Sequence, residues 1–251
     1  MSGTLDNKVA IVTGAGRGIG AVYADALSKA GASVVVADLD QGNATTVADQ
    51  ISSDGGNAIA VRVDVADESL TDAMAAEAVD RFGGIDILVN NAAYMPSVVT
   101  GLLDYPRDEW QQTLDINLSG PLNCVRSTVP AMRTRGGGAI VNISSIGAFE
   151  GGHAYGISKL GVQGMTTWLS QELGPQGIRI NCIAPGPIST PQGDAARPPG
   201  YLEQLDPATP LKVLGDPEDL CGTLLYFVSD ASAWVTGQII RVDGGYVKRP
   251  F

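Results

Sequence analysis

The segment Val9–Gly20 reads VAIVTGAGRGIG, in which a short apolar run leads directly into a glycine-rich turn. The apolar residues 9–12 predict a buried strand, and we expect a helix to begin near Gly18. A strand that enters a helix through closely spaced glycines is typical of the first unit of a doubly wound sheet. The start of that helix offers free N–H groups to phosphates, so the segment predicts a dinucleotide site.

The same alternation of strand and helix continues along the chain. Strands are predicted at 9–12, 34–36, 58–61, 85–89, 139–143, 178–183 and 238–242. Helices are predicted at 18–30, 41–54, 67–81, 107–134, 154–173 and 216–229. Several strands are nearly continuous in Val and Ile, which is typical of strands buried on both faces of a parallel sheet. We therefore predict an α/β fold in which residues 1–251 form one domain, a doubly wound parallel sheet of about seven strands with helices on both faces.

Charge and composition exclude several classes of partner. Sixteen basic and 27 acidic residues give a net charge of −11, which argues against nucleic acid, an anionic membrane or an acidic carrier protein. His153 is the only histidine, so we expect no multi-histidine metal site, and we predict no metal. Cys124, Cys182 and Cys221 lack C-x-x-C spacing and are interpreted as small buried residues. With no signal-peptide core or long apolar run, we expect a cytoplasmic protein.

Acidic and amide side chains follow the next strands at the edge where the dinucleotide is expected. Asp38 stands eighteen residues after Gly20, where a carboxylate accepts hydrogen bonds from ribose hydroxyls and repels a 2′-phosphate. The next residue is Leu39 rather than an arginine, which favours NAD over NADP, although Arg17 in the glycine turn is a counter-signal. Asp64-Val65 suits the adenine edge, or else Asp64 caps the following helix.

Tyr155 and Lys159 are four residues apart on a predicted helix and therefore project from one face. A tyrosine has an unperturbed pKa of about 10, and we expect the lysine ammonium to lower it. A phenol adjusted in this way exchanges a proton with a carbonyl or alcohol oxygen. Together with a hydride carrier, the pair predicts an oxidoreductase that acts on small-molecule alcohols and ketones.

With these features in order, the chain resembles the short-chain dehydrogenase/reductase family from Lys8 to Gly245. The matching motifs are TGAGRGIG at 13–20, Asp38, Asp64-Val65, NNAA at 90–93, Asn117, Ser144-Ser145, YGISK at 155–159, PGPIST at 185–190 and DGG at 243–245. The resemblance implies that the catalytic residues are Asn117, Ser145, Tyr155 and Lys159. It also implies that the cofactor-binding residues are Gly14, Arg17, Gly18, Ile19, Gly20, Asp38, Asp64, Val65, Asn90, Ala92, Tyr155, Lys159, Pro185, Gly186, Ile188 and Thr190.

The family likeness implies a role for each catalytic residue. Tyr155 is the general acid/base, and Lys159 lowers its pKa and holds the nicotinamide ribose. Ser145 hydrogen-bonds the substrate oxygen, and Asn117 helps to organise a water-linked proton path through Lys159.

The likeness also places three of the cofactor residues. Asn90 lies under the cofactor, and Ile188 and Thr190 meet the nicotinamide carboxamide.

Two departures from the family pattern concern the site. Ala93 replaces the glycine that more often ends the NNAG motif. Ser145 lies only ten residues before Tyr155, where about a dozen are usual, so the choice between Ser144 and Ser145 stays open.

A proline-rich segment follows the sixth strand. Pro185 to Pro217 contains eight of the fourteen prolines, and we predict a substrate lid at about 186–216. Candidate pocket residues are Tyr94, Met95, Phe149, Glu150, His153, Pro187, Tyr201, Leu202 and Leu205.

Two other functions compete with that of an NAD(H)-dependent alcohol/ketone oxidoreductase. An NADPH-dependent 3-oxoacyl thioester reductase is disfavoured by Asp38 and by the acidic net charge. A non-catalytic dinucleotide-binding protein has no need of the complete catalytic set. The family likeness also implies a homo-oligomer, commonly a tetramer, with helices 107–134 and 154–173 at the interface and the tail 246–251 reaching a neighbour.

Overall fold

Seven parallel strands form a single sheet in a computed structural model that describes residues 4–95, 101–150, 154–196, 200, 209–211 and 214–247. The strand order is β3-β2-β1-β4-β5-β6-β7, and every neighbouring pair is parallel. The strands are β1 (Val9–Thr13), β2 (Ser33–Asp38), β3 (Asn57–Arg62), β4 (Ile87–Asn90), β5 (Gly138–Ile143), β6 (Ile178–Pro185) and β7 (Ile239–Val242). The predicted α/β fold and its seven strands are confirmed.

Nine α-helices connect or flank these strands within the described part of the chain. They are α1 (Gly18–Lys29), α2 (Gln41–Ser53), α3 (Glu68–Phe82), α4 (Arg107–Leu114), α5 (Gly120–Thr134), α6 (Gly147–Glu150), α7 (Ala154–Leu173), α8 (Pro191–Ala196) and α9 (Cys221–Val228). Short 3₁₀ turns occupy Leu102–Asp104, Gly174–Gln176, Pro217–Leu220 and Asp230–Ser232. None of the described helices combines the length and apolar character needed to cross a bilayer.

The apolar core consists of one layer on each face of the sheet. Helices α1, α2 and α9 pack on the face that carries Ala10 and Val12, whereas α3, α5 and α7 pack on the face that carries Ile11. Successive residues of β1 therefore enter opposite layers, as the alternation of side chains along a strand requires. Burial on both faces explains why the strand sequences are continuous apolar runs.

The chain reverses its direction of travel across the sheet at β1. This strand pairs with β2 on one side and with β4 on the other, so the connections leave in opposite directions. A crevice opens at the carboxyl ends of strands at such a point, and ligands of open α/β sheets bind there.

The predicted helix 107–134 is the main departure from the expected elements. The structure divides it into α4 and α5, which are joined by one π-helical stretch, Asp115–Ser119. Wide turns of this kind occur frequently at functional sites. This one carries Asn117, which is fully buried.

Candidate active site

The glycine turn between β1 and α1 is shaped by close backbone contacts. Gly14 and Gly18 have φ values of 62° and 56°, a region that favours glycine. A Cβ atom on Gly14 would lie 2.8 Å from Cα of Ala92, and one on Gly20 would collide with the carbonyl oxygen of Gly14. The turn is therefore packed tightly against both α1 and the loop that follows β4.

The start of α1 is open to an anion. Arg17 occupies the N-cap position, and no side chain there accepts a hydrogen bond from the first turn of the helix. The first N–H groups of a helix need an acceptor and carry partial positive charge. This end of the crevice therefore suits the pyrophosphate of a dinucleotide.

Asn91, which sequence reasoning did not single out, fastens the loop after β4 to the glycine turn. Its side-chain amide donates hydrogen bonds to the carbonyl oxygens of Thr13 and Gly14, each at 3.0 Å. The Thr13 hydroxyl accepts hydrogen bonds from the main-chain N–H groups of Asn91 and Ala92, each at 3.1 Å. Two features of the sequence could have indicated this contact: an amide side chain directly after the predicted Asn90, and a threonine at the end of β1.

Asp38 ends β2 beside this turn. One carboxylate oxygen accepts a hydrogen bond from the Gly16 N–H at 2.8 Å, and the other accepts one from the Asp40 N–H at 3.0 Å. Each oxygen retains acceptor capacity, because a carboxylate offers about four lone-pair sites. A carboxylate at this position can accept hydrogen bonds from ribose hydroxyls, and its negative charge repels a 2′-phosphate.

A cleft of about 580 Å³ crosses these elements. Its lining includes the predicted residues Gly14, Arg17, Gly18, Ile19, Gly20, Asp38, Asp64, Val65, Ala92 and Thr190. Asp64 accepts a hydrogen bond from the Ala66 N–H at 3.0 Å, whereas Asp67 caps α3 through the N–H of Ser69 at 2.8 Å. The alternative prediction, that Asp64 caps the helix, is therefore wrong, and Asp64 lines the cleft.

Asn90 lies below the cleft rather than in its lining. Its side-chain amide donates hydrogen bonds to Oδ1 of Asn142 at 2.8 Å and to the carbonyl oxygen of Pro121 at 3.3 Å. Asn142 in turn donates to the Thr166 hydroxyl at 2.9 Å. All three polar side chains in this row are buried, so Asn90 supports the floor of the crevice through β5 and α7.

The two adjacent serines at the end of β5 have different surroundings. The Ser144 hydroxyl is buried, where it donates to the carbonyl oxygen of Lys159 at 2.9 Å and accepts from Gln163 at 3.0 Å. Ser145 instead lines the same cleft as Tyr155, and its Oγ accepts a hydrogen bond from the Gly147 N–H at 3.1 Å. Ser145 is therefore the serine whose hydroxyl lies beside Tyr155.

Tyr155 and Lys159 both lie on α7 and face the carboxyl end of β5. Nζ of Lys159 is 5.6 Å from the centre of the Tyr155 ring and donates a hydrogen bond to the carbonyl oxygen of Ile143 at 2.9 Å. Burial raises the pKa of the Tyr155 phenol, and the hydrogen bond from Ser145 lowers it by less. Burial also lowers the pKa of Lys159 to about 8.

These pKa directions correct one expectation. The pattern of the two residues predicted that Lys159 lowers the pKa of Tyr155. In the structure the pKa of the phenol is raised overall. The loss of hydration on burial raises it by more than the Ser145 side chain lowers it.

Asn117 joins the loop after β4 to α7. Its Oδ1 accepts a hydrogen bond from the Tyr94 N–H at 2.6 Å, and its Nδ2 donates to the Tyr94 carbonyl oxygen at 2.8 Å. The same Nδ2 lies 3.2 Å from the Ser158 hydroxyl, which donates to the Tyr155 carbonyl oxygen at 2.7 Å. The side chain of Asn117 is thus engaged in holding the protein framework.

A second cleft, of about 430 Å³, contains three of the four predicted catalytic residues, and Asn117 is not part of its lining. Its lining includes Ser145, Tyr155, Lys159, Pro185, Gly186, Ile188 and Thr190, together with the candidate pocket residues Met95 and Pro187. Ile19, Asn91, Ala93 and Thr190 line both this cleft and the first one. The two clefts therefore form one groove from Asp38 to Tyr155.

The base of the predicted lid is described, but much of its length is not. Ser189 and Gly215 are joined by a hydrogen bond of 2.8 Å, and Thr190 accepts one from Gly193 at 3.1 Å. The candidate residues Tyr201, Leu202, Leu205 and His153 lie outside the described part of the chain, as does the side chain of Glu150.

Two further predictions concern side chains away from the groove. The Phe149 ring lies 5.5 Å from the guanidinium carbon of Arg241 and does not line the groove. Cys124 and Cys182 are buried and unpaired, as predicted, and burial raises the pKa of each thiol to about 12. Among the residues that the structure describes, no cluster of three or more His, Cys, Asp or Glu side chains could hold a metal ion.

Comparisons with known proteins identify the family of the chain. A family model described as enoyl-(acyl carrier protein) reductase matches residues 14–247. An uncharacterized oxidoreductase of Mycobacterium tuberculosis is 49% identical over 245 residues, which cover 97% of this chain and 99% of that protein. An L-rhamnose 1-dehydrogenase (NAD(P)(+)) of Azotobacter vinelandii is 38% identical over 250 residues, covering 96% and 97% of the two chains.

A solved structure shows the same fold along nearly the whole chain. It is a 7 alpha-hydroxysteroid dehydrogenase complexed with NADH and 7-oxo glycochenodeoxycholic acid, with a TM-score of 0.92 and 35% identity. The match covers 98% of this chain and 96% of that one. The protein described here therefore belongs to the short-chain dehydrogenase/reductase family and is an oxidoreductase that acts on CH–OH groups.

Proposed function

We propose that the protein is an NAD(H)-dependent oxidoreductase that interconverts a secondary alcohol and a ketone, with Tyr155 as general acid/base. The observation that carries this proposal is that Ser145, Tyr155 and Lys159 line one cleft, and that this cleft shares residues with the one that contains Asp38. The groove brings a proton donor and the residues expected to bind a dinucleotide into one site.

The side chains supply the proton part of the reaction. A bound nicotinamide supplies or accepts the hydride. Because burial raises its pKa, Tyr155 holds its proton near neutral pH and can donate it to a carbonyl oxygen. Ser145 donates a second hydrogen bond to that oxygen and so stabilises the charge that develops on it. In the oxidation direction, the Lys159 ammonium beside the phenol supports removal of the alcohol proton.

The preference for NAD(H) rests on Asp38. Its carboxylate is fixed by the Gly16 and Asp40 N–H groups on the wall of the cleft, so it does not turn away from a ribose bound there. Leu39 follows it and supplies no positive charge for a 2′-phosphate. The solved relative bound to NADH is consistent with this choice, whereas the Azotobacter relative is named for both cofactors.

We also propose a homo-oligomer, of tetrameric form by family likeness. Helix α7 exposes an apolar stripe at helical spacing, formed by Ile157, Leu160 and Trp168, which are 37%, 52% and 73% exposed. Gly164 lies in the same stripe, so a second helix could approach closely. A second copy of the chain is the simplest occupant of such a face. The unpaired cysteines support our expectation of a cytoplasmic location.

Nicotinamide absorbance tests the catalytic proposal directly. Purified protein is assayed with NADH and NADPH, separately, against ketones, diketones and 3-oxoacyl thioesters. Tyr155→Phe is compared with Tyr226→Phe, a matched change on α9 outside the groove. We expect turnover that favours NADH, disappears in Tyr155→Phe and persists in Tyr226→Phe. A preference for NADPH with thioesters would support the reductase alternative, and full activity of Tyr155→Phe would refute the catalytic assignment.

A further inference from the structure

Three consecutive residues at the end of β5 lie against α7 and the catalytic cleft. The Ile143 carbonyl oxygen accepts a hydrogen bond from Nζ of Lys159 at 2.9 Å. The Ser144 hydroxyl donates to the main-chain carbonyl oxygen of Lys159 at 2.9 Å. Ser145 lines the catalytic cleft together with Tyr155. The head group and the main chain of Lys159 are therefore both held by the strand end that carries Ser145.

Gln163 completes this arrangement one helical turn after Lys159. Its Nε2 donates a hydrogen bond to the Ser144 hydroxyl oxygen at 3.0 Å. In an α-helix a carbonyl oxygen accepts the N–H group of the residue four positions later, which for Lys159 is Gln163. The three residues thus form a closed set of hydrogen bonds, which we call the Ser144 cycle.

The Ser144 cycle is shielded from water. Ser144, Lys159 and Gln163 are 2%, 3% and 6% exposed. Gln163 contributes to the lining of neither cleft of the groove, so it lies behind the reacting groups. A buried polar group that loses its partner is not compensated by water, and the loss costs stability or alignment.

The chemistry of the groups fixes the direction of each hydrogen bond in the cycle. A glutamine Nε2 only donates, and a main-chain carbonyl oxygen only accepts. The Ser144 hydroxyl has a single hydrogen, so accepting from Gln163 leaves that hydrogen for the Lys159 carbonyl oxygen. An acceptor at position 163 would compete for the same hydrogen, and the main chain of Lys159 would lose its bond to β5.

The link between β5 and α7 sets the spacing of reacting groups on both sides. Ser145 directly follows Ser144, and Tyr155 lies one turn before Lys159 on the same helix. Groups that act together on a substrate need to be held within about 0.5 Å of the productive geometry. A looser link would therefore misalign Ser145 with Tyr155 and move Lys159 relative to the phenol.

We propose that Gln163 is a positioning residue for the reaction, which acts by setting the direction of the Ser144 hydroxyl. The proposal rests on the proposed function at Tyr155. It adds a residue beyond the YGISK motif, which ends at Lys159.

Two substitutions separate the donor of Gln163 from its bulk. Gln163→Met keeps a side chain of similar length and removes the donor. Gln163→Glu keeps the shape, but a carboxyl group donates only while it is protonated. Burial raises the pKa of a carboxyl group above its ordinary value of about 4.3, so this donor should be lost between about pH 5 and about pH 8.

The effect is measured as kcat for the ketone that the wild type reduces fastest, and as the Kd of NADH from its fluorescence. Gln163→Met should lower kcat by about three- to ten-fold at every pH, the range for loss of a buried hydrogen bond. Gln163→Glu should match the wild type near pH 5 and fall at least to the level of Gln163→Met by about pH 8. The Kd of NADH should rise over the same range, because Lys159 is expected to hold the nicotinamide ribose.

Two controls isolate the route through Ser144. Gln171→Glu adds a carboxylate to an exposed position of α7, so it should leave both quantities unchanged at every pH. In a Ser144→Ala background, Gln163→Glu should have no pH-dependent effect. A pH-dependent effect that persists there would show that the carboxylate acts directly on Lys159, and it would overturn the proposal.

Other titrating groups near Lys159 are common to all of these proteins. Among the described residues they are Tyr155, whose ring centre is 5.6 Å from Nζ, and Cys182 of β6. The ratio of each variant to the wild type at the same pH therefore reports the change at position 163. Thermal melts restrict the comparison to folded protein, and Gln163→Met carries the test at any pH where Gln163→Glu unfolds.

Two failures are distinguishable. Turnover of no ketone, or turnover that persists in Tyr155→Phe, would overturn the proposed function and this inference with it. Turnover that depends on Tyr155 but is unaffected by Gln163→Met would overturn the positioning role alone. Equal losses in Gln163→Glu at every pH would do the same.

Discussion

The hydroxyl of Tyr94 donates a hydrogen bond of 2.7 Å to Oε2 of Glu109, so the loop after β4 is attached to the first turn of α4. The main chain of Tyr94 is held at the same time by both ends of the Asn117 amide. Because Asn117 also contacts Ser158 of α7, the wall of the cleft that contains Asp38 is linked through one side chain to the helix that carries Tyr155. Tyr94 is therefore a positioning residue whose hydrogen bonds link the two halves of the groove.

Removing the Tyr94 hydroxyl should weaken cofactor binding more than it slows turnover. We expect Tyr94→Phe to raise the KM for NADH by about three- to ten-fold, the range for loss of a hydrogen bond to a charged group at a partly exposed site. The change in kcat should be smaller, because Asn117 still holds the backbone of Tyr94. Glu109→Gln should have a similar effect, and the double variant should be less than additive.

Tyr105 offers a matched control for this experiment. Its hydroxyl is buried and has no hydrogen-bond partner among the residues that the structure describes, so Tyr105→Phe removes the same atom without breaking an observed bond. We expect this variant to keep the cofactor KM of the wild type and to be at least as stable. Equal changes in the two phenylalanine variants would contradict a positioning role for Tyr94.

Variants of the two neighbouring serines should differ in their effects, one mainly on stability and the other mainly on catalysis. Ser144→Ala removes a buried hydroxyl that serves two hydrogen bonds, so it should lower the melting temperature. Ser145→Ala acts at a half-buried site, so it should lower the melting temperature less, and it should lower kcat by about 100-fold, typical of losing one donor to a developing oxyanion. Thermal melts and initial rates on both variants check this assignment, and the reverse pattern would identify Ser144 as the substrate-binding serine.

The buried Lys159 predicts a pH dependence of stability. Its pKa falls from the ordinary 10.5 to about 8 on folding, so the unfolded chain binds more protons between these values. The free energy of unfolding contributed by this group therefore rises as the pH increases from 8 towards 10.5. The shift corresponds to about 3 kcal/mol.

Denaturant unfolding of the wild type and Lys159→Met at several pH values measures this contribution. The wild type should gain stability relative to the variant as the pH rises from 7 to 10. Comparing the two proteins cancels the titrating groups that do not interact with Lys159. A difference that is constant with pH would show that Lys159 is hydrated in the folded protein.

Cofactor choice should change when Asp38 loses its charge. Asp38→Asn keeps an oxygen to accept the hydrogen bond from Gly16 but removes the charge that opposes a 2′-phosphate. We expect the ratio of kcat/KM for NADPH to that for NADH to rise by about ten-fold or more, with Arg17 then available to the phosphate. Asp40→Asn is the control, because asparagine is an equally good cap for α2. An unchanged ratio in Asp38→Asn would place the determinant elsewhere.

Much of the framework could be read from local sequence patterns. The predicted strands and helices agree with the structure to within a few residues, because Val- and Ile-rich runs and glycine-bounded helices depend on near neighbours. The exception is the π-helical stretch around Asn117. A π-helical turn is only about one residue longer than an α-helical turn, so the spacing of apolar residues in the sequence does not reveal it.

The details of the site depend on contacts between distant parts of the chain. The hydrogen bonds of Asn91 with Thr13 span 78 residues, and no short-range pattern reports them. The same is true of a cavity of about 490 Å³ that forms where the ends of β6 and β7 meet Thr209, Leu211, Gly215 and Asp219.

The residue types at the site were determined by the sequence: a glycine turn, a carboxylate at the end of β2, and Tyr155 with Lys159 on one helix. Only the tertiary structure decided which serine lies beside Tyr155 and in which direction the pKa of the phenol moves. The physical reason is that a hydroxyl's partners and a phenol's hydration depend on every element packed around them. A motif specifies only the side chains and their spacing along the chain.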